Sequence, residues 1–247
     1  MAESTYSLDK EALDERIGHF LGHGATTGNF STGQQANIDR VREEGLMNFY
    51  NAYDWTFLTP STTLSITADD YDIDLPDNFG WILGSFHYST DDAYNTLKMT
   101  SVGRIMELRA GSDATGIPRE FAISVKSNDA STTARYEVLL YPTPGSAYTL
   151  NYRYNVIRDA ITTTQYPLGG ALFRTVMTEA CLAAAEAQLD DTIGLHENRY
   201  RMMLQDSIRI DKMNKPKFFG KNLDYSDEPV DLYSRNRDCT YNGSLPS

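Results

Sequence analysis

Two hydrophobic periods divide this chain. In "SLDKEALDERIGHFL", Leu8, Ala12, Leu13, Ile17, Phe20 and Leu21 recur at helical spacing, and Ser7 is placed to cap the helix. Gly22 and Gly24 end it. The run "GHGATTGNFSTGQ" is rich in Gly, Ser and Thr and reads as a loop, closing with Ser31 and Gln34 at the spacing of a capping box. The helix behind that box has Ile38, Val41, Leu46, Phe49 and Tyr50 as an apolar stripe. Asp39, Arg40, Arg42, Glu43 and Glu44 take the opposite side, and the pattern stops near Asn51.

From Thr62 the period changes to two and stays there for roughly a hundred residues. Leu64 and Ile66 alternate with Ser and Thr. Tyr71, Ile73 and Leu75 alternate with Asp72 and Asp74, and Phe121, Ile123 and Val125 alternate with polar neighbours. In "AYTLNYRYNV", Tyr148, Leu150, Tyr152, Tyr154 and Val156 share one face, while Thr149, Asn151, Arg153 and Asn155 share the other, as in a half-buried strand. "YEVLLYPTPG" ends in a Pro-x-Pro-Gly turn that predicts a hairpin, and "SVGRIMELRAG" predicts one short helix within the series. Strands with turn signals and no βαβ rhythm predict an antiparallel β-sandwich or partly open barrel.

The helical period returns at Pro167 and Gly169. Leu172, Val176, Ala180, Ala183, Ala184 and Ala187 line one side of the next helix, and the alanines imply close helix approach. A final helix, "LHENRYRMMLQDSIRIDKM", turns Tyr200, Met203, Leu204 and Ile208 inward. The order helix, helix, strands, helix, helix predicts an α+β fold, with residues 1–54 and 165–215 closing into one helical bundle. Residues 55–164 form the inserted β-rich domain, and residues 216–247 a polar tail that carries Phe218, Phe219, Tyr225, Tyr233 and Tyr241. At the crossing, "AYDWTFLTP" gathers Tyr53, Trp55 and Phe57 behind Phe49. Large aromatics there are placed to fill both cores at once, a reading that outweighs an aromatic ligand platform because Trp and Phe are usually buried.

Composition narrows the function. Lys and Arg total 22 against 34 Asp and Glu, a formal charge of −12, which disfavours static binding of nucleic acid or anionic lipid. Cys181 and Cys239 have no metal or disulfide spacing, so reduced, intracellular production is the simpler expectation. The N-terminus lacks the regions of a signal peptide, and no apolar run approaches the length of a membrane span. Motifs for chemistry are weak. "GHGATTG" follows a helix and lacks the Lys-Ser/Thr of a phosphate loop. Glu15, His19 and His23 share a helix edge, but Gly22 loosens the last of them. "DDYDIDLPDN" begins like a calcium loop, yet Leu75 and Trp81 stand where Gly and a bidentate Glu are needed. His196 opens "HEN", but Tyr200 replaces the second His of a zinc-protease motif, and no G-x-S-x-G elbow occurs. The expectation is a protein without catalytic, metal or cofactor residues.

The succession "IDRVREEGLMNFYNAYDWTFLTPSTTLSI", "YDIDLPDNFGWILG", "RIMELRAGSDATGIPREFAI", "YEVLLYPTPGSAYTLNYRY" and "EACLAAAEAQLDD" resembles the head-to-tail adaptor (connector) proteins of tailed bacteriophages, including those called tail tubular protein A in short-tailed phages. It spans about residues 30 to 215. The resemblance implies a structural virion protein of the neck, made in the host cytoplasm. In that family a helical bundle with an inserted β-rich domain forms a ring of twelve copies between the portal protein and the tail or nozzle protein. Double-stranded DNA passes through the ring during ejection without specific binding. Residues 216–247 lie outside that span; the expectation for them is a tail, disordered in the free protein, that orders along the portal with Phe218 and Phe219 as anchors and Tyr225 and Tyr233 as further docking residues. Two alternatives remain: another neck component, such as a stopper or head-completion protein, and a carbohydrate-binding module of a tail fibre. The latter needs exposed rings, whereas Tyr148, Tyr152 and Tyr154 share their face with Leu150 and Val156.

Overall fold

Hydrogen bonding at the chain's first loop fixes where its longest helix begins. The Ser31 hydroxyl accepts from the Gln34 N–H, and the Gln34 side chain accepts from the Ser31 N–H, completing a capping box for α2 (Thr32–Asn51). The computed structural model describes residues 4–89, 94–129, 133–190, 194–213 and 215. The expected tail, with Phe218, Phe219, Tyr225 and Tyr233, lies outside the described residues. Helix α1 (Lys10–Phe20) starts later than Ser7 implies. Its cap is Asp9, whose carboxylate accepts from the Ala12 N–H at 2.9 Å, and a negative charge suits a helix N-terminus better than a hydroxyl.

After α2 come β1 (Ser61–Ile66), β2 (Asp72–Asp74), β3 (Phe79–Ile82), β4 (His87–Tyr88), β5 (Lys98–Met99) and α3 (Val102–Gly111). Next are β6 (Thr115–Gly116), β7 (Glu120–Asp129), β8 (Thr133–Tyr141), β9 (Thr143–Pro144) and β10 (Tyr148–Val156), then α4 (Arg174–Asp190) and α5 (Leu195–Lys212). This is an α+β chain. One sheet runs β1-β10-β3 with β4 also on β10, the second runs β2-β8-β7-β5, and β6 pairs with β9. The sheets are open, and no closed barrel forms among the described residues. Both larger sheets feed one apolar cluster, where Phe86 meets Phe121 edge-on at 4.9 Å and Phe79 lies 5.6 Å from Tyr136. Along β10, Leu150, Tyr152 and Tyr154 are buried and Thr149, Asn151 and Arg153 are exposed, as the alternation requires, but Asn155, expected on the polar face, is buried where the register shifts against β3. Helix α3, capped by Ser101, rests on the second sheet through Ile105 against Ala122 and Leu139.

The "YPTPG" segment does not make a hairpin. It carries the chain out of β8 in one sheet and into β10 in the other, while β9 pairs in parallel with β6. Pro142 and Pro144 have no N–H to extend the β8 ladder, so the strand leaves its sheet there.

Helices from both ends of the chain share one apolar cluster. Leu13 and Ile17 of α1, Ile38, Val41, Leu46, Phe49 and Tyr50 of α2, and Val176, Met177, Ala180, Cys181, Ala184 and Ala185 of α4 are buried together. Tyr200, Met203, Leu204 and Ile208 of α5 close its side. The close approach has a definite site: a Cβ on Gly45 would stand 2.4 Å from the Cys181 Cα, so only glycine lets α2 and α4 touch there. Two positions of the expected α4 stripe lie elsewhere. A 3-10 turn over Gly170–Phe173 rotates the entry to the helix, which buries Phe173 and leaves Leu172 62% exposed; Ala187 is also exposed.

Candidate functional site

The two strands of chain that connect helices to sheets meet beside the end of α2, and each named aromatic can be placed there. Trp55 is fully buried, donates its indole N–H to the Phe49 carbonyl at 3.0 Å, and lies 4.6 Å from the Phe49 ring. Phe57 stacks on Trp55 at 5.6 Å and Phe173 meets Trp55 edge-on at 5.1 Å. Tyr53 meets it edge-on at 5.2 Å, partly buried. All of these rings belong to the helical cluster and none to the sheet cluster. The aromatics therefore close one core instead of bridging two, because the chain turns away from the helices only after Leu58.

What fixes the crossing is polar, and the sequence pattern did not nominate it. Asp211 in the last turn of α5 is buried, and its carboxylate accepts from the Thr56 N–H at 3.2 Å and from the Thr56 hydroxyl at 2.6 Å. Lys215 stands 3.8 Å from the same carboxylate and donates to the Tyr53 hydroxyl and the Asp54 carbonyl at 2.7 and 2.8 Å. On the returning connection, Arg158 donates to Asn51 Oδ1 at 2.6 Å and lies over the Tyr50 ring. Burial lowers the Arg158 pKa from its ordinary value, with Tyr50 opposing. Arg153 of β10 donates to the Thr59 carbonyl and hydroxyl.

A second polar centre lies between α1 and α2. Arg42, expected on the solvent side, is 1% exposed and paired with Asp14, also 1% exposed. Lys10 approaches Asp14 at 2.7 Å, Gln35 donates to it at 3.0 Å, and Asp39 shares the same Arg42 Nη1 at 2.6 Å. Burial works to raise the Asp39 carboxyl, but hydrogen bonds from Arg42, Lys10 and Gln35 overcome it and hold the group below its ordinary value. The signal was present in the spacing: Arg42 sits four residues from both Ile38 and Leu46, on the apolar ridge itself.

The remaining candidates are separated. His23 lies 3.4 Å from the Gln34 amide, and His196 lies 2.7 Å from a Glu179 carboxylate and edge-on to Phe20. Asp74 pairs with Lys126 and Asp77 with Arg135, so the acidic run around β2 is a charged outer surface. Among the described residues no three His, Cys, Asp or Glu side chains are grouped as a metal site. Cys181 is buried in the helical core, which pushes its thiol up to about 12. A groove of about 320 Å³ between α3 and the second sheet is lined by Tyr71, Arg109, Glu137 and Met106, with Arg109 stacked on Tyr71 and bonded to Thr143. No described helix is long and apolar enough to cross a membrane. A scan against protein-family models matched none, and a search of curated proteins found no match.

Proposed function

We propose that this chain is a structural virion protein: a head-to-tail adaptor whose copies form a ring joining the portal to the tail or nozzle and lining part of the DNA channel. The observation that carries this reading is the shared core of the first and last described helices, with every described strand between them in sequence. That is the organisation implied by the family the "WTFL", "LPDNFG" and "YPTP" motifs resemble. On this reading residues 1–54 and 165–215 are a helical bundle, residues 55–164 an inserted antiparallel sandwich, and residues 216–247 a portal-docking extension.

The job asks for rigid geometry and a wall to which DNA does not adhere. With −12 per copy, a ring of twelve would hold on the order of 140 negative charges, and a polyanion slides past such a wall instead of binding it. The polar clamps at the crossing would set the angle between bundle and sandwich, and with it the angle between ring neighbours.

Electron microscopy of the purified protein mixed with portal tests the reading. Rings of this chain seated on one end of the portal are expected. Subunits that stay single in the presence of portal, at concentrations well above micromolar, would sink it. In the same preparation, replacing Phe218 and Phe219 together by Ser is expected to abolish co-sedimentation with portal while leaving the unfolding midpoint unchanged.

A further inference from the structure

The outer face of the first sheet carries an apolar patch that no described segment covers. Trp81 is 52% exposed, and Leu83 and Ile157 are also exposed. The register makes them neighbours: Trp81 pairs with Asn155, the Leu83 N–H donates to the Arg153 carbonyl, and Ile157 packs beside Gly80. A register shift opposite Val156 leaves Gly80 unpaired and turns Trp81 outward while Phe79 and Ile82 face the core. Across the crossing, exposed Met47 of α2 touches the Arg158 guanidinium, so the patch spans sheet and helix. A cluster of this kind, with a half-exposed indole at its centre, is the signature of a contact surface.

Its rim is basic. Arg153 and Arg158 both border it, and neither has a carboxylate partner among the described residues. The Arg158 Nε is closed off from solvent without an acceptor. In a chain of net charge −12, two guanidiniums without carboxylates beside an indole call for an occupant that is acidic and apolar together.

We infer that residues 222–233 of this chain, "NLDYSDEPVDLY", dock on the Trp81 patch. The segment carries Asp224, Asp227, Glu228 and Asp231 with no Lys or Arg, interleaved with Leu223, Tyr225, Val230, Leu232 and Tyr233. It is the complement of the patch in both charge and apolarity. The end of the described chain puts it within reach. Lys215 is held at Tyr53 and Asp54, beside the α2 terminus where Arg158 rests on Asn51. Seven residues of extended chain from Lys215 to position 222 span about 23 Å. A tether of that length gives an effective concentration on the order of millimolar, so even a weak segment stays bound in the isolated subunit. The inference concerns the free chain and stands apart from the adaptor reading: rings can fail to form and the docking still hold.

The full-length protein supplies its own reporter. It has two tryptophans, and Trp55 is fully buried, so acrylamide quenching reads Trp81. In the full chain Trp81 is expected to be shielded. Replacing Asp224, Asp227 and Asp231 by Asn and Glu228 by Gln together is expected to raise the quenching constant about threefold by releasing the tether. Salt at high concentration should act in the same direction, and circular dichroism should show an unchanged unfolding midpoint. Quenching already typical of an open indole in the parent chain overturns the inference. So does shielding that survives the four substitutions, including shielding that grows with protein concentration, which would assign the patch to a second copy.

Discussion

Breaking the Asp14–Arg42 pair should be costly, and removing both partners should not. Each residue is 1% exposed, so either charge left alone is a buried ion. Loss of one member of such a pair costs about 3–5 kcal/mol. Here the neighbours cushion the loss unequally. In Arg42→Met, Asp14 keeps Lys10 at 2.7 Å and Gln35 at 3.0 Å, whereas in Asp14→Leu, Arg42 keeps Asp39 at 2.6 Å, a carboxylate that is 37% exposed, and a more distant, exposed Glu43 at 3.8 Å. Arg42 also has its Nε buried without an acceptor, a defect the guanidinium brings with it. We therefore expect about 3 kcal/mol for Arg42→Met and about 4 kcal/mol for Asp14→Leu, with the double variant within about 1 kcal/mol of the parent. Urea unfolding followed by circular dichroism gives all three, provided the m-values agree. Single costs below about 1 kcal/mol, or costs that simply add in the double variant, would refute the reasoning.

The same network carries an acid limb. Asp39 is held below its ordinary value, so its contribution is complete above the unfolded carboxyl range and is lost as pH falls through the folded one. Between about pH 5 and pH 2 the parent should lose more stability than Asp39→Asn, and parallel curves would remove the assignment. Trp55→Ala should cost about 3–5 kcal/mol in urea unfolding, since it empties a fully buried ring site and removes the indole's hydrogen bond to the Phe49 carbonyl; an unmoved midpoint would contradict this. Gly45→Ala should destabilise by about 1–3 kcal/mol, because the new Cβ meets the Cys181 backbone and not a flexible side chain; a neutral result would mean that α2 and α4 are free to separate. In a Cys239→Ser background, Cys181 should react with iodoacetamide only when the protein unfolds, its thiol being pushed up to about 12, and labelling at the rate of a free thiol in the native state would show the core to be open.

How far the sequence spoke depended on whether the deciding interaction was local. The Ser31–Gln34 box and the alternation along β10 are set by near neighbours, and both appear where the pattern places them, up to Asn155, which the register shift against β3 buries. The α4 stripe slipped at Leu172, because the 3-10 turn before the helix changes the phase and no local residue announces it. "YPTPG" has every mark of a hairpin turn, and only the choice of sheet for β10 makes it a crossing. The aromatic cluster was visible as residues but not as a location, since one core or two is a question of where the chain turns after Leu58. Least legible was Asp211, whose Thr56 partner lies on another element; Arg42 betrayed its place by spacing, but its Asp14 partner comes from α1. A charge reads as solvated until its partner comes from elsewhere in the fold.

Antiparallel pairing of β1 with β10, with Ser61 opposite Arg153, brings the start and finish of the strand-rich segment side by side. This bears on the order of assembly. If the helices met first, they would have to close a flexible loop of about 120 residues; once that segment has folded, the same closure spans only the roughly 25 residues of the two connections. At about 0.6 kcal/mol per doubling of loop length, the difference is about 1.3 kcal/mol of entropy removed from the helical encounter. A strand-rich middle that folds first would thus act as a rivet set before the plates are joined, and α4 and α5 would meet α1 and α2 across two short connections.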